Sequence, residues 1–181
     1  MATDADGSGP NLIKAFKNSG VISLNFFAFA LRSTLMTSYL DIGAIDMDAM
    51  NNPADLVKIP IIPGNYWWAG YIDGVRFGED RDNAFGMAEP QMAFTDSGTS
   101  CILVPTHYYN LLMAELEKYT LSGIRTDDTE DPERPYKFLE NCWEAREVLP
   151  DLFFRFGGYW LEAHAKDFVQ NGSCRLCIRE N

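Results

Sequence analysis

The seven residues Phe94-Thr95-Asp96-Ser97-Gly98-Thr99-Ser100 constrain this chain more than any other stretch. They sit between two apolar runs, Met92-Ala93-Phe94 and Cys101-Ile102-Leu103-Val104. Short apolar runs around a Ser/Gly/Thr turn predict two buried strands joined by a tight loop. A carboxylate between buried strands is costly unless hydrogen bonds hold it or chemistry uses it. Gly98 lacks a Cβ, so its amide can approach the Asp96 carboxylate closely. Thr99 can offer its hydroxyl to one carboxylate oxygen, which favours the ionised form and lowers the pKa. The stretch is built to present one oriented carboxylate.

An ordinary Asx turn between strands explains the same residues, since Asp, Ser, Gly and Thr are all common in loops. At average usage, D-[ST]-G-[ST] arises by chance in roughly one chain of this length in a hundred. The flanks therefore decide. Asn11-Leu12-Ile13-Lys14 precedes Phe27-Ala28-Phe29-Ala30-Leu31, and then comes Tyr39-Leu40-Asp41-Ile42-Gly43-Ala44-Ile45-Asp46. Val57-Lys58-Ile59-Pro60, Tyr66-Trp67-Trp68 and Ile72-Asp73-Gly74-Val75 lead to the Asp96 loop. Cys142, Leu149-Pro150-Asp151-Leu152-Phe153-Phe154 and Gly172-Ser173-Cys174 follow it. In this order the passages resemble the second half of the pepsin-like, bilobed aspartic endopeptidases, from about Asn11 to Cys174.

The resemblance implies a mostly β fold with short helices, a C-terminal lobe of the acid-protease type. Residues 1–35 would be the interlobe helix and strand passage, and residues 36–181 the catalytic lobe without its last strands. It implies hydrolysis of peptide bonds by two carboxylates and one water, with Asp96 the second of the pair. Ser97 would bond across the lobe interface, where the family usually carries Thr, and Thr99 would bond the outer oxygen of Asp96. Gly98, Thr99 and Ser100 would line the substrate cleft. Tyr66 and Phe94 would wall an apolar pocket, although Tyr66 reads equally as a core aromatic with a polar handle. Cys142–Cys174 would form a disulfide, with Cys177 the rival partner of Cys142 and Cys101 a buried thiol.

No second D-[ST]-G occurs in the sequence, since Asp73-Gly74 and Asp6-Gly7-Ser8 have the wrong order. The expectation is therefore a part of a longer endopeptidase, inactive alone, whose partner is the missing N-terminal lobe with the first catalytic Asp. Its substrate would be a peptide or protein, with no cofactor. Two rival readings remain: a self-pairing dimer with one Asp per subunit, as in retroviral proteases, and an inert peptide-binding lobe.

The net charge of −11, from 15 basic and 26 acidic residues, argues against nucleic acid and anionic membranes, because no basic stripe exists to displace phosphate counterions. An apolar content of 46% with 13% aromatic residues suits a globular β-rich chain of 181 residues, enough for one sizeable core or two small ones. Cys174-Arg175-Leu176-Cys177 has CxxC spacing, but no second pair exists and neither His107 nor His164 completes a zinc pattern with it. No metal is expected. Asp4–Gly9 begins like an EF-hand loop, yet Ala15 stands where a bidentate Glu is required. A disulfide implies an oxidising compartment, and Asn171-Gly172-Ser173 is a glycosylation sequon. Met1–Pro10 is polar, so no signal peptide is read there, and no apolar stretch is long enough to span a bilayer. The resemblance and its implied disulfide imply the secretory pathway and an extracellular or lysosomal/vacuolar location.

Along the chain, a short helix is expected over Asn11–Asn18 and a buried strand at Phe26–Phe29. Strands with turns at Gly43, Asn51-Asn52-Pro53 and Pro63-Gly64-Asn65 should fill Tyr39–Val75. Gly78–Glu89 reads as a polar loop. Thr106 should cap a helix to about Tyr119, with Tyr108, Leu112, Leu116 and Tyr119 on one face. The acidic Thr126–Pro135 stretch reads as an exposed loop, and Phe138–Phe168 as short strands with a Gly157-Gly158 hairpin turn.

Overall fold

Asn11 caps the first helix, α1 (Leu12–Asn18), as its side-chain oxygen accepts from the backbone N–H groups of Ile13 (3.0 Å) and Lys14 (3.4 Å). Two of the donors that a helix start leaves unpaired are thereby satisfied. The computed structural model describes residues 11–31, 37–50, 52–78, 85–120, 123–127, 136–140, 142, 148–170 and 172–181. The expectations for Met1–Gly9, for residues 128–135 of the acidic stretch and for Asn171 lie outside the described residues.

The chain divides into two compact units, one ending at Trp68 and one starting at Ala69. In the first, β1 (Phe27–Ala30) pairs antiparallel with β2 (Tyr39–Ile42), in a register running from Phe27 opposite Ile42 to Ala30 opposite Tyr39. Phe27 meets Phe29 and Trp68 edge-on, with ring centroids 5.6 Å apart in each case. Gly43 follows β2 at φ +77°, and a Cβ there would stand 2.7 Å from that of Ile22. The aromatic run is a strand as expected, but only half-buried, because a two-stranded ribbon covers little of itself. Two 3-10 turns follow, Met47–Ala49 and Pro53–Asp55, capped by Asp46 and Asn52. Residues 56–67 then run without strand pairing, so Val57–Pro60 is not the expected strand. Pro60 and Pro63 supply no N–H to a ladder, which accounts for the difference.

The second unit holds the core. Its four-stranded sheet has the order β4-β3-β8-β9, from β3 (Trp68–Phe77), β4 (Phe85–Thr95), β8 (Leu152–Phe156) and β9 (Tyr159–Ala163). Strand β4 begins inside the stretch read as a polar loop: Phe85-Gly86-Met87-Ala88 is apolar in sequence, and pairing to β3 takes it into the sheet. Gly157 and Gly158, at φ +58° and +88°, make the two-residue turn between Phe156 and Tyr159 that the sequence announced. Gly70 has no room for a side chain, since a Cβ would lie 2.7 Å from the Phe156 ring. Arg76 is buried, with its guanidinium 4.0 Å from the centroid of the Phe153 ring and Nη1 donating to the Gly78 carbonyl at 2.7 Å. Arg155 forks onto Asp73 through Nε (2.6 Å) and Nη2 (3.0 Å).

Beside this sheet, β5 (Ile102–Val104) runs parallel to β10 (Ile178–Glu180), while β6 (Ile124–Asp127) and β7 (Tyr136–Leu139) form an antiparallel pair. Helix α2 (Thr106–Glu117) buries Tyr109, Leu112, Met113 and Leu116, spaced as one helical face. That face is rotated from the expected one: Tyr108 and Tyr119 are only partly buried. Thr106 does not cap the helix either. Pro105 holds the cap position, where its fixed φ suits a helix start, and the Thr106 hydroxyl donates to Glu180 Oε1 at 2.6 Å. The short helix α3 (Ala165–Phe168) adds Ala165 and Phe168 to a core shared with Phe77, Leu139, Leu152, Leu176 and Ile178.

Candidate active site

Strand β4 ends at Thr95, and Asp96 is the first residue of the turn that follows. Its Oδ1 accepts from the Gly98 N–H at 2.9 Å and its Oδ2 from the Thr99 hydroxyl at 2.5 Å, while the Thr99 N–H donates to the Asp96 carbonyl at 3.3 Å. Both carboxylate oxygens are thus gripped from within the loop. The Thr99 hydroxyl first, and the Gly98 N–H second, hold the carboxyl below the usual carboxylate range. A Cβ on Gly98 would stand 3.2 Å from Oδ1, so the short approach favours glycine.

Asp96, Ser97, Gly98, Thr99 and Ser100 are all exposed. The flanking strands are not the buried pair expected: Met92, Phe94 and Leu103 are exposed, and Val104 is buried. Donors within the loop, rather than burial, set the state of this carboxylate. Phe94 lies on β4 two residues before Asp96, whereas Tyr66 belongs to the first unit and is 60% exposed. Exposure speaks against Tyr66 as a core aromatic in this chain.

The loop leaves through Cys101, which is disulfide-bonded to Cys177. The Cys177 sulfur lies 3.0 Å from the Ser100 carbonyl oxygen, and the Ile102 N–H donates to the Cys177 carbonyl at 2.9 Å. The implied Cys142–Cys174 bridge is present, so Cys177 is not its rival and Cys101 is not a thiol. The second bridge was legible only by elimination among four cysteines.

A constellation that sequence reasoning missed lies on the β8–β9 hairpin. Asp151 Oδ2 is 3.1 Å from His164 Nδ1, Glu162 Oε1 is 3.7 Å from the same nitrogen, and Asp151 Oδ1 accepts from the Ala165 N–H at 2.8 Å. The Asp151 contact raises the imidazole pKa first of all. Partial desolvation pushes the Asp151 carboxyl up, and the Ala165 N–H and His164 outweigh it, leaving a lowered pKa. The signal in the sequence was Glu162-Ala163-His164, two polar groups on alternate positions of extended chain at the end of β9.

The structure thus presents one exposed carboxylate, held on both oxygens in a D-S-G-T turn, on a mostly β fold with short helices. The family model for eukaryotic aspartyl proteases matches residues 2–180. The aspartic proteinase MKC7 of Saccharomyces cerevisiae is 26% identical over 183 residues, covering 93% of this chain and 28% of that protein. The crystal structure of an aspartic proteinase from Irpex lacteus matches with a TM-score of 0.68 at 18% identity, over 95% of this chain and 50% of that one. The chain belongs to the eukaryotic aspartyl protease family. It spans half of the fungal structure and less than a third of the yeast protein that it matches.

Proposed function

We infer that this chain is the part of an aspartic endopeptidase that carries the second carboxylate of the catalytic pair, Asp96. The single observation behind this reading is the exposed Asp96 carboxylate, gripped by the Gly98 N–H and the Thr99 hydroxyl and biased toward its ionised form. The first carboxylate would come from an N-terminal lobe outside this sequence. Two carboxyls in contact cannot both ionise, so such a pair holds one proton and titrates as a unit. The ionised partner takes a proton from water, whose oxygen attacks the amide carbon of a peptide. The protonated partner hydrogen-bonds the carbonyl oxygen and then protonates the leaving nitrogen.

Ser97 would bond across the lobe interface, and Gly98, Thr99 and Ser100 would face the peptide. Phe94 and Tyr66, both exposed here, would offer apolar walls to substrate side chains. The passage over residues 1–35 would join the lobes, and residues 36–181 would form the catalytic lobe. Two disulfides support an oxidising setting, hence an extracellular or vacuolar site of action. No helix among the described residues is long and apolar enough to cross a membrane.

The test is cleavage of an unstructured protein by the longer polypeptide that contains this chain and a second D-[ST]-G. Cleavage is expected there, to vanish with Asp96→Asn while the fold persists, and to be absent from the 181-residue chain alone. Asn keeps the shape but cannot accept the proton. Undiminished cleavage by the Asp96→Asn form would overturn the assignment. Cleavage by the short chain rising with the square of its concentration would favour a self-pairing dimer instead.

A further inference from the structure

The Asp151, Glu162 and His164 cluster lies outside the catalytic loop and has no part in the reaction above. The geometry points to a binding site for a divalent d-block cation, zinc above all, held by these three side chains on the β8–β9 hairpin. The backbone fixes their meeting. Glu162 on β9 and His164, one residue past its end in extended backbone, are two residues apart and so project from one face, while Ala163 between them packs toward the core. Asp151 immediately precedes β8, one step beyond the Leu152–Ala163 pair, and so stands across the ladder from His164. The Ala165 N–H anchors the other oxygen of Asp151 at 2.8 Å, which leaves Oδ2 directed at the imidazole.

The distances bracket the edge of a zinc tetrahedron. Zinc bonds His nitrogen and carboxylate oxygen at about 2.0–2.2 Å, so the edge of its tetrahedron is about 3.3–3.6 Å. The observed edges from His164 Nδ1 are 3.1 Å to Asp151 and 3.7 Å to Glu162, and all three donor atoms lie within 4.8 Å of one another. An imidazole with two carboxylates is a donor set that zinc accepts with a fourth position left to water. Calcium and magnesium prefer oxygen alone, so the imidazole disfavours them. Among the described residues, Asp151 and Glu162 favour charge on His164 and Lys166 opposes it. The three donors are partly exposed, at 35–47% of their side chains, so an ion can reach them without unfolding.

Zinc chloride titrated into the 181-residue chain at pH 7.5, followed by calorimetry and by the NMR signals of its two histidines, tests this. The expected result is one zinc per chain, with the His164 ring signals shifted and those of His107 unmoved. His164→Ala and Glu162→Gln should each weaken binding more than about tenfold, and His107→Ala should not. Cobalt(II) in place of zinc should give the intense visible absorption of a tetrahedral centre. Absence of binding up to millimolar zinc, or binding that both variants retain in full, would overturn the proposal. So would zinc shifting His107 and not His164.

Discussion

Removing the Cys101–Cys177 bridge tests how firmly the exit of the Asp96 loop is tied to β10. The bridge closes 76 residues of sequence. Because the intact Cys142–Cys174 bridge short-circuits that span, the loop that Cys101–Cys177 closes in the unfolded chain is about 45 residues, for which the chain-entropy relation gives about 4 kcal/mol. With a urea slope of roughly 2 kcal/mol per molar, the paired Cys101→Ala/Cys177→Ala variant should unfold with a midpoint lowered by roughly 2 M. Hydrogen exchange adds a local readout. The Ile102 N–H donates to Cys177 O at 2.9 Å and the Asn181 N–H to Val104 O at 3.0 Å, so both amides should lose protection first. A midpoint change below about 0.5 M, with protection of both amides intact, would refute the claim that this crosslink holds β5 and β10 together.

Gly70→Ala should destabilise by about 1–3 kcal/mol, because its new methyl meets the Phe156 ring at 2.7 Å; Phe156→Leu in the same chain should recover part of the loss in urea melts. Leu116→Ala empties a fully buried position on α2 and should cost about 2.7–5 kcal/mol in thermal or urea unfolding, and a cost under about 1 kcal/mol would contradict the core described above.

The loop around Asp96 was legible because its contacts are local. Gly98 and Thr99 lie two and three residues from the carboxylate, and their donors act whatever the rest of the chain does. The same holds for the Asn11 cap and for the Gly157-Gly158 turn, where neighbouring residues dictate the conformation. What escaped depends on distant pairing. Strand β4 starts at Phe85 because β3 lies beside it, not because its own residues alternate cleanly. Cys101 and Cys177 meet through the parallel β5–β10 ladder, and Asp151 meets His164 only once β8 and β9 are in register. The face of α2 was misjudged by a fraction of a turn, since Tyr108 and Tyr109 are equally apolar in sequence and only packing chooses between them.

Asp96 is held toward its ionised form by its own loop. A pH titration of the Asp96 carboxyl carbon by NMR measures that directly, in the wild-type chain and in Thr99→Val. Because the folded pKa is depressed, the two hydrogen bonds stabilise the loop fully above the unfolded carboxyl pKa, and that stabilisation is lost as pH falls through the folded value. The expected wild-type midpoint lies below that of an ordinary aspartate and moves upward in Thr99→Val with the fold unchanged. An Asp96 that titrates at or above the ordinary value, and that does not respond to loss of the Thr99 hydroxyl, would contradict it.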